Sequence, residues 1–181
     1  MEPIANIGTE PLYWFQPKLI KRQCELRAED GRLFGTYSMS KTIYSPGVGE
    51  TSEGTWTFKR RGFFKPTIDI IAGDTQTAAA VYTPKALSPG LVRFSDGREF
   101  AWKPLSFWRG EWQFADASDQ PAIIFRRDKR KRKWRDILKP SAVIERGTVI
   151  TSPAEFSILL LFGWHLLILM RSQQGAHAAV T

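Results

Sequence analysis

Apolar and polar residues alternate with a period of two along most of this chain. The segment Gly54-Thr-Trp-Thr-Phe-Lys59 places its tryptophan and phenylalanine on one side and its threonines and lysine on the other. The same alternation recurs at Ile68–Ile70, Val92–Phe94, Phe100–Trp102 and Trp112–Phe114. Short segments of this kind, separated by turn residues, are typical of antiparallel strands with one buried face. The pattern predicts an all-β domain with roughly ten or more strands.

One segment near the C-terminus departs from this alternation. Phe156–Met170 is apolar on all sides when it is drawn as a helix. Ser152 and Glu155 precede it at the spacing of a capping box, and Gly175 follows it as a residue that favours a left-handed stop. These signals predict one helix over residues 153–171.

A helix that is apolar on all sides must be enclosed by protein or by lipid. The 15 residues of this run span roughly 22 Å, which is shorter than the roughly 30 Å of a bilayer core. The length therefore favours a helix inside the protein, and a tail anchor in the membrane is the alternative. A sheet closed into a barrel around the helix would bury both the helix and the apolar face of the strands, and it would leave no free edge.

Length and composition fit one globular domain. The chain has 181 residues, 43% of them hydrophobic, with seven tryptophans and a single cysteine, Cys24. One cysteine excludes an intramolecular disulfide framework, which suits a reducing compartment. The first residues lack the basic and apolar regions of a secretory signal, so a cytoplasmic protein is expected. We expect a flexible arm over 1–10, the barrel over 11–172 and a C-terminal tail over 173–181.

Two short motifs recur in the same order. Asp30-Gly-Arg-Leu-Phe34 returns as Asp96-Gly-Arg-Glu-Phe100, and Gly54-Thr-Trp-Thr-Phe58 returns as Gly110-Glu-Trp-Gln-Phe114. A duplicated half-barrel would produce this pattern. The reuse of the same turn and strand residues by unrelated hairpins would produce it equally well.

The helix and the first of these tryptophan strands together resemble a known superfamily. Ser152-Pro-Ala-Glu-Phe-Ser-Ile-Leu-Leu-Leu-Phe-Gly-Trp-His-Leu-Leu-Ile-Leu169, preceded by Gly54-Thr-Trp-Thr-Phe-Lys-Arg-Arg-Gly-Phe-Phe64, is similar to the tubby C-terminal-like superfamily. Its members include tubby domains, LURP-one-related proteins, phospholipid scramblases and small bacterial relatives, and this chain looks most like the last. The resemblance covers roughly residues 11–172. It implies a closed antiparallel barrel of about twelve strands threaded by the C-terminal helix.

Function varies within that superfamily, so the resemblance implies less about activity than about fold. Tubby domains bind phosphoinositides in membranes, and scramblases move lipids. This chain lacks the Cys-rich lipidation segment and the acidic calcium loop of scramblases, which argues against scramblase activity.

Residues suited to catalysis or metal binding are few. The only histidines are His165 in the apolar helix and His177 near the C-terminus, and neither stands at a metal-ligand spacing from Cys24. The sequence holds no phosphate-binding loop, dinucleotide fingerprint or nucleophile elbow. We therefore predict a non-enzymatic protein with no cofactor, no metal and no small-molecule substrate. We expect His165 to be a buried imidazole bonded to one hydroxyl or backbone group.

The net charge of +8 comes almost entirely from one segment. Arg126–Arg135 holds eight basic residues and one acidic residue, whereas the rest of the chain holds 18 basic and 17 acidic residues. A smaller basic cluster follows Phe58. The candidate lipid- or anion-binding residues are Lys59, Arg60, Arg61, Arg126, Arg127, Lys129, Arg130, Lys131, Arg132, Lys133, Trp134 and Arg135.

The basic segment has three interpretations. Clustered cations attract anionic phospholipid headgroups, at about 1 kcal/mol for each cation near the surface, and Trp134 suits a membrane interface. Positive charge also binds nucleic acid without sequence preference. The simplest alternative is a solvated hairpin tip that binds nothing. Lipid is favoured over nucleic acid because the strand aromatics alternate inward and leave no stacking platform. The predicted function is peripheral binding of anionic membranes by a cytoplasmic protein.

Overall fold

A computed structural model of the chain describes residues 1–8, 10–17, 23–39, 46–62, 64, 66–85, 90–129, 140–149 and 151–178, and the side chains of the last helix up to residue 172. Twelve antiparallel strands follow one another around a closed barrel, and the last pairs with the first. This confirms the predicted fold class. The strands are β1 Leu12–Phe15, β2 Gln23–Ala28, β3 Leu33–Met39, β4 Gly47–Thr51, β5 Gly54–Arg61, β6 Thr67–Ala72, β7 Ala78–Thr83, β8 Gly90–Phe94, β9 Glu99–Ser106, β10 Glu111–Ala115, β11 Pro121–Arg126 and β12 Ser141–Arg146.

The alternation in the sequence becomes the inside and the outside of this barrel. Trp56 and Phe58 of β5 are buried, whereas Lys59 of the same strand is exposed. Inward residues also face one another across strand pairs, as Leu12 of β1 does opposite Ile144 of β12 where the barrel closes. Because a shift of one residue would turn every apolar side chain outward, the pattern fixes the register.

The helix α1, Pro153–Ala178, runs through the barrel. The predicted capping box is confirmed: the Ser152 backbone N–H donates to Glu155 Oε2 at 2.8 Å, and the Glu155 N–H donates to Ser152 Oγ at 3.2 Å. Every residue from Glu155 to Leu166 is buried. The predicted end was wrong, because the helix continues through Gly175 to Ala178; a glycine permits a left-handed stop but does not impose one.

The helix is also long and apolar enough to cross a membrane by length and composition alone. The qualifying stretch is the 20 residues Pro153–Ser172, and 67% of its apolar 18-residue window is buried in the barrel. The core helix of a water-soluble protein passes the same test. In this structure the partners of the apolar side chains are protein, as in the stacking of Trp164 on Trp14 with ring centroids 5.2 Å apart.

Residues 45–54 have the composition of a loop, with three glycines, two serines and a proline, and the sequence predicts one there. That prediction is wrong at the centre, which is strand β4. Its glycines are present because the helix leaves no room for side chains there. A Cβ at Gly49 would lie 2.9 Å from a methyl carbon of Leu161, and one at Gly47 would lie 2.7 Å from Nδ1 of His165. Glycine in a strand therefore marks close approach of the helix at this position.

The N-terminal residues, for which the sequence predicts a flexible arm, are packed against the barrel. Ile4 is 2% exposed and Ile7 is 7% exposed. The Ile4 N–H donates to a carboxylate oxygen of Glu53 at 2.8 Å, and the Ser157 hydroxyl donates to the other oxygen at 3.2 Å. The arm thus covers the barrel end at which α1 begins.

The recurring motifs do not reflect a duplicated half-barrel. The first motif maps the β2–β3 turn onto the β8–β9 turn, six strands later, but the second maps β5 onto β10, five strands later. Strands β5 and β10 also run in opposite directions along the barrel. What recurs is local turn chemistry: in both Asp-Gly turns the aspartate side chain accepts the N–H of the following arginine, and that arginine lies over a phenylalanine ring.

Gly163 provides a test of the enclosed helix. A Cβ there would lie 3.0 Å from the Phe114 ring and closer still to that of Phe125. Gly→Ala at an exposed helical site stabilises by about 1 kcal/mol, whereas overpacking a core costs about 1–3 kcal/mol. We expect Gly163→Ala to destabilise the protein by about 1–2 kcal/mol in urea unfolding followed by tryptophan fluorescence.

Gly8→Ala is the matched control, because a Cβ at Gly8 meets no atom within 4 Å. It should leave the unfolding midpoint unchanged. Stabilisation by Gly163→Ala would show that this face of the helix is not enclosed.

Candidate functional site

The strand directions separate two ends of the barrel. One end holds the connections β1–β2, β3–β4, β5–β6, β7–β8, β9–β10 and β11–β12, and the other end holds the remaining connections. Helix α1 begins at the second end, where Arg98 of the β8–β9 turn pairs with Glu155 at 2.6 Å. Its later turns emerge at the first end. We call this first end the basic end, after Lys59, Arg60, Arg61, Arg109, Arg127 and Lys129.

The described connections carry opposite charge at these two ends. Those at the basic end contain four basic residues, Lys85, Arg109, Arg127 and Lys129, and one acidic residue, Asp128. Those at the other end contain two basic and seven acidic residues.

The structure places the described members of both predicted basic clusters at this end. Lys59, Arg60 and Arg61 are exposed at the end of β5, and Arg127 and Lys129 are exposed after β11. The two clusters lie on opposite sides of the rim, because five strands lie between β5 and β11 in either direction around the twelve-strand ring. The remaining predicted residues, Arg130, Lys131, Arg132, Lys133, Trp134 and Arg135, lie outside the described residues.

Arg126 differs from its neighbours because it is held by two carboxylates. Its Nε donates to Glu145 at 2.8 Å and its Nη1 donates to Glu111 at 3.0 Å. Hydrogen bonds to Glu145, and then the charges of both carboxylates, raise the pKa of Arg126. Glu111 is 5% exposed, so this ion pair neutralises a buried charge. Arg126 therefore stabilises β10–β12, and Arg61 is similarly paired with Asp69 at 3.3 Å.

Exposed aromatic side chains that are not among the predicted site residues lie at the same end. Phe107 and Trp108, in the β9–β10 turn, are 78% and 95% exposed, and Phe64, between β5 and β6, is 94% exposed. Large apolar side chains usually stay buried, so three at one end are informative. The sequence does contain a signal for this exposure. Phe107-Trp-Arg-Gly110 has two adjacent aromatic residues in a turn, and a turn residue has no inward-facing strand position.

A pocket of about 700 Å³ opens at the basic end beside the emerging helix. We call it the terminal pocket. Cationic, aromatic and aliphatic side chains share its lining. It is lined by Phe107, Trp108, Arg109, Gly110, Trp112, Phe125, Arg126, Arg127, Asp128, Pro140, Ser141, Ala142, Trp164, Leu167, Ile168, Met170 and Arg171.

His165, deep in the helix, is engaged inside the core, as predicted. Nδ1 of His165 lies 2.6 Å from the hydroxyl oxygen of Tyr37. Burial lowers the pKa of His165 to about 3, and burial also raises the pKa of Tyr37. The imidazole is therefore neutral at physiological pH, and the tyrosine hydroxyl donates to Nδ1. This pair is a satisfied core hydrogen bond.

In the described part of the chain, no group of three His, Cys, Asp or Glu side chains is arranged to hold a metal ion. Burial raises the pKa of the Cys24 thiol to about 11, so it is not an activated nucleophile.

Comparison of the chain with protein-family models, with curated proteins and with solved structures finds no match. The similarity to the tubby C-terminal-like superfamily therefore stays a prediction.

His165 makes stability depend on pH in a defined direction. Its pKa is about 3 when folded and about 6.5 when unfolded, so the unfolded chain binds the proton more readily. The stability contributed by the neutral imidazole is full above about pH 6.5 and is lost as the pH falls towards 3, by about 1.4 kcal/mol for each unit. His165→Gln removes the titrating group and keeps an acceptor for Tyr37. Between pH 7 and pH 4.5 we expect the unfolding free energy of the wild type to fall by about 2–3 kcal/mol more than that of the variant.

Carboxylates elsewhere titrate in both proteins, so only the difference between the two pH profiles is compared. Parallel profiles would show that His165 is not buried in the neutral form.

Proposed function

We propose that this protein is a non-enzymatic, tubby-like barrel module of the cytoplasm that binds anionic membranes peripherally through its basic end. One observation carries the proposal: exposed aromatic side chains and exposed cations lie at the same end of the barrel. Phe107 and Trp108 belong to this set, as do Arg109, Arg127 and Lys129.

The two kinds of side chain make complementary contributions at a membrane. Cations such as Lys129 are attracted by anionic headgroups, at about 1 kcal/mol each within a Debye length of the surface. Aromatic side chains such as Trp108 partition to the headgroup level, where an apolar ring and a polar N–H are both accommodated. The acidic character of the opposite end gives the molecule a charge asymmetry that orients it on approach.

The helix end adds an aliphatic surface to the same region. Leu167, Ile168, Leu169 and Met170 are half-buried, whereas the helix is fully buried from Glu155 to Leu166. Aliphatic side chains beside exposed aromatics suit a lipid interface. They contribute little to nucleic-acid binding, which uses phosphate contacts and aromatic stacking on bases.

A tail anchor would require the helix to leave the barrel. That would expose to water the aromatic inner faces that now pack on it, such as Trp14, Phe58 and Phe114. Burial of one large side chain stabilises by about 1.5–3 kcal/mol, so emptying the barrel is far more costly than peripheral docking. Peripheral binding with the helix in place is the function that the geometry supports best.

Vesicle flotation tests the proposal. Wild-type protein should float with vesicles of phosphatidylcholine and phosphatidylserine and should stay at the bottom with phosphatidylcholine alone. Arg127→Ser with Lys129→Ser removes two exposed cations and should weaken binding by about 30-fold, at about 1 kcal/mol for each. Phe107→Ser with Trp108→Ser should weaken binding by at least about tenfold and should make the remainder more salt-sensitive.

Arg93→Ser with Arg146→Ser is the matched control. Both side chains are exposed, the change in net charge is the same, and both lie towards the opposite end of the barrel. This pair should bind as the wild type does. An equal loss in the control would show that net charge, not the basic end, drives binding. If duplex or single-stranded DNA displaces the protein from acidic vesicles in a competition assay, the basic end prefers nucleic acid and the proposed membrane binding is wrong.

A further inference from the structure

The terminal pocket has a chemistry that the proposed membrane binding does not use. Its accessible apolar surface comes from the half-buried Leu167, Ile168 and Met170 of α1 and from the exposed Phe107 and Trp108 of the β9–β10 turn. Aliphatic and aromatic side chains that are open to solvent beside a helix suit a hydrocarbon chain.

The mouth of the pocket is positively charged. Four arginines and one aspartate line the pocket. Arg126 is held by Glu111 and Glu145, but Arg109 and Arg127 are exposed at the rim. A ligand that fits must therefore place an anion beside these arginines and an apolar portion against the helix.

We propose that the terminal pocket binds one molecule of a single-chain anionic amphiphile, with its chain along α1 and its phosphate or carboxylate at Arg109 and Arg127. A volume of about 700 Å³ falls within the roughly 300–1,000 Å³ of small-ligand pockets. Arginine binds phosphate and carboxylate oxygens in pairs, which suits the head of such a molecule. This site rests on the proposed function, because an anionic membrane lipid has the same two parts, an anionic head and an acyl chain.

Charge argues against a second copy of this chain as the occupant, because the basic end of that copy would repel this one. An acidic amphiphile is the occupant that the mouth attracts.

Oleoyl lysophosphatidate below its micelle concentration is a suitable probe. Titration followed by calorimetry and by tryptophan fluorescence should show one saturable site, because Trp108, Trp112 and Trp164 all line the pocket. Oleoyl lysophosphatidylcholine should bind at least about tenfold more weakly, because its head carries no net negative charge. Inorganic phosphate at the same concentration should not compete, since it lacks the chain.

Two substitutions at the helix end separate the pocket from the surface. Ile168→Trp fills the pocket and should abolish binding of lysophosphatidate. Leu169→Trp adds the same side chain at a half-buried neighbour that does not line the pocket, and it should bind as the wild type does. Arg109→Gln with Arg127→Gln should weaken binding by about tenfold or more.

The outcomes distinguish this inference from the proposed function. Flotation on acidic vesicles without saturable lysophosphatidate binding would overturn the pocket and leave membrane binding intact. Equal loss in Ile168→Trp and Leu169→Trp, or equal affinity for lysophosphatidylcholine, would also overturn it. If lysophosphatidate binds saturably, if only Ile168→Trp abolishes that binding and if the protein does not float with vesicles, the pocket is confirmed and the proposed membrane binding is wrong.

Discussion

The structure depends on the need to bury a helix that is apolar on every side. A single sheet face or a neighbouring helix could cover only part of α1, but a closed barrel covers all of it. Closure also pairs the edge strands β1 and β12, which would otherwise be free to join another chain. The aromatic residues of the strands and the aliphatic residues of the helix thus fill the same space. Gly49 and Gly163 show how closely the two are fitted, since neither position has room for a methyl group.

Enclosing the helix also determines where function can be located. The helix occupies the interior of the barrel, where every residue from Glu155 to Leu166 is buried, so the outer surface and the ends are the places that we consider for binding. One end is closed by the capping box at Ser152 and by the packed N-terminal residues around Ile4. At the other end the helix emerges with half-buried side chains among cations and exposed aromatics. The terminal pocket and the proposed membrane contact both arise from this asymmetry.

The fold was largely predictable because its signals are local and repeated. Alternation with a period of two identified the strands, and the capping box identified the start of α1. Strand β4 was missed because its glycines mimic a loop, and only the distance to Leu161 explains them. The end of α1 was missed because Gly175 permits a stop without requiring one.

The candidate site was predictable in part. Arg127 and Lys129 stand out by charge, but local sequence does not show which cations are already paired, as Arg126 is with Glu111 and Glu145. Nor does it show that the turn holding Phe107 and Trp108 shares an end with them, because that depends on strand order around the whole ring.

Hydrogen exchange with and without acidic vesicles tests whether the helix stays enclosed while the basic end contacts the membrane. We expect slow exchange of the amides from Phe156 to Leu166 in both states. We also expect the additional protection on vesicles to be confined to the basic end, including the turn around Trp108. Fast exchange of these helix amides in solution, or loss of protection across the barrel strands on vesicles, would contradict it.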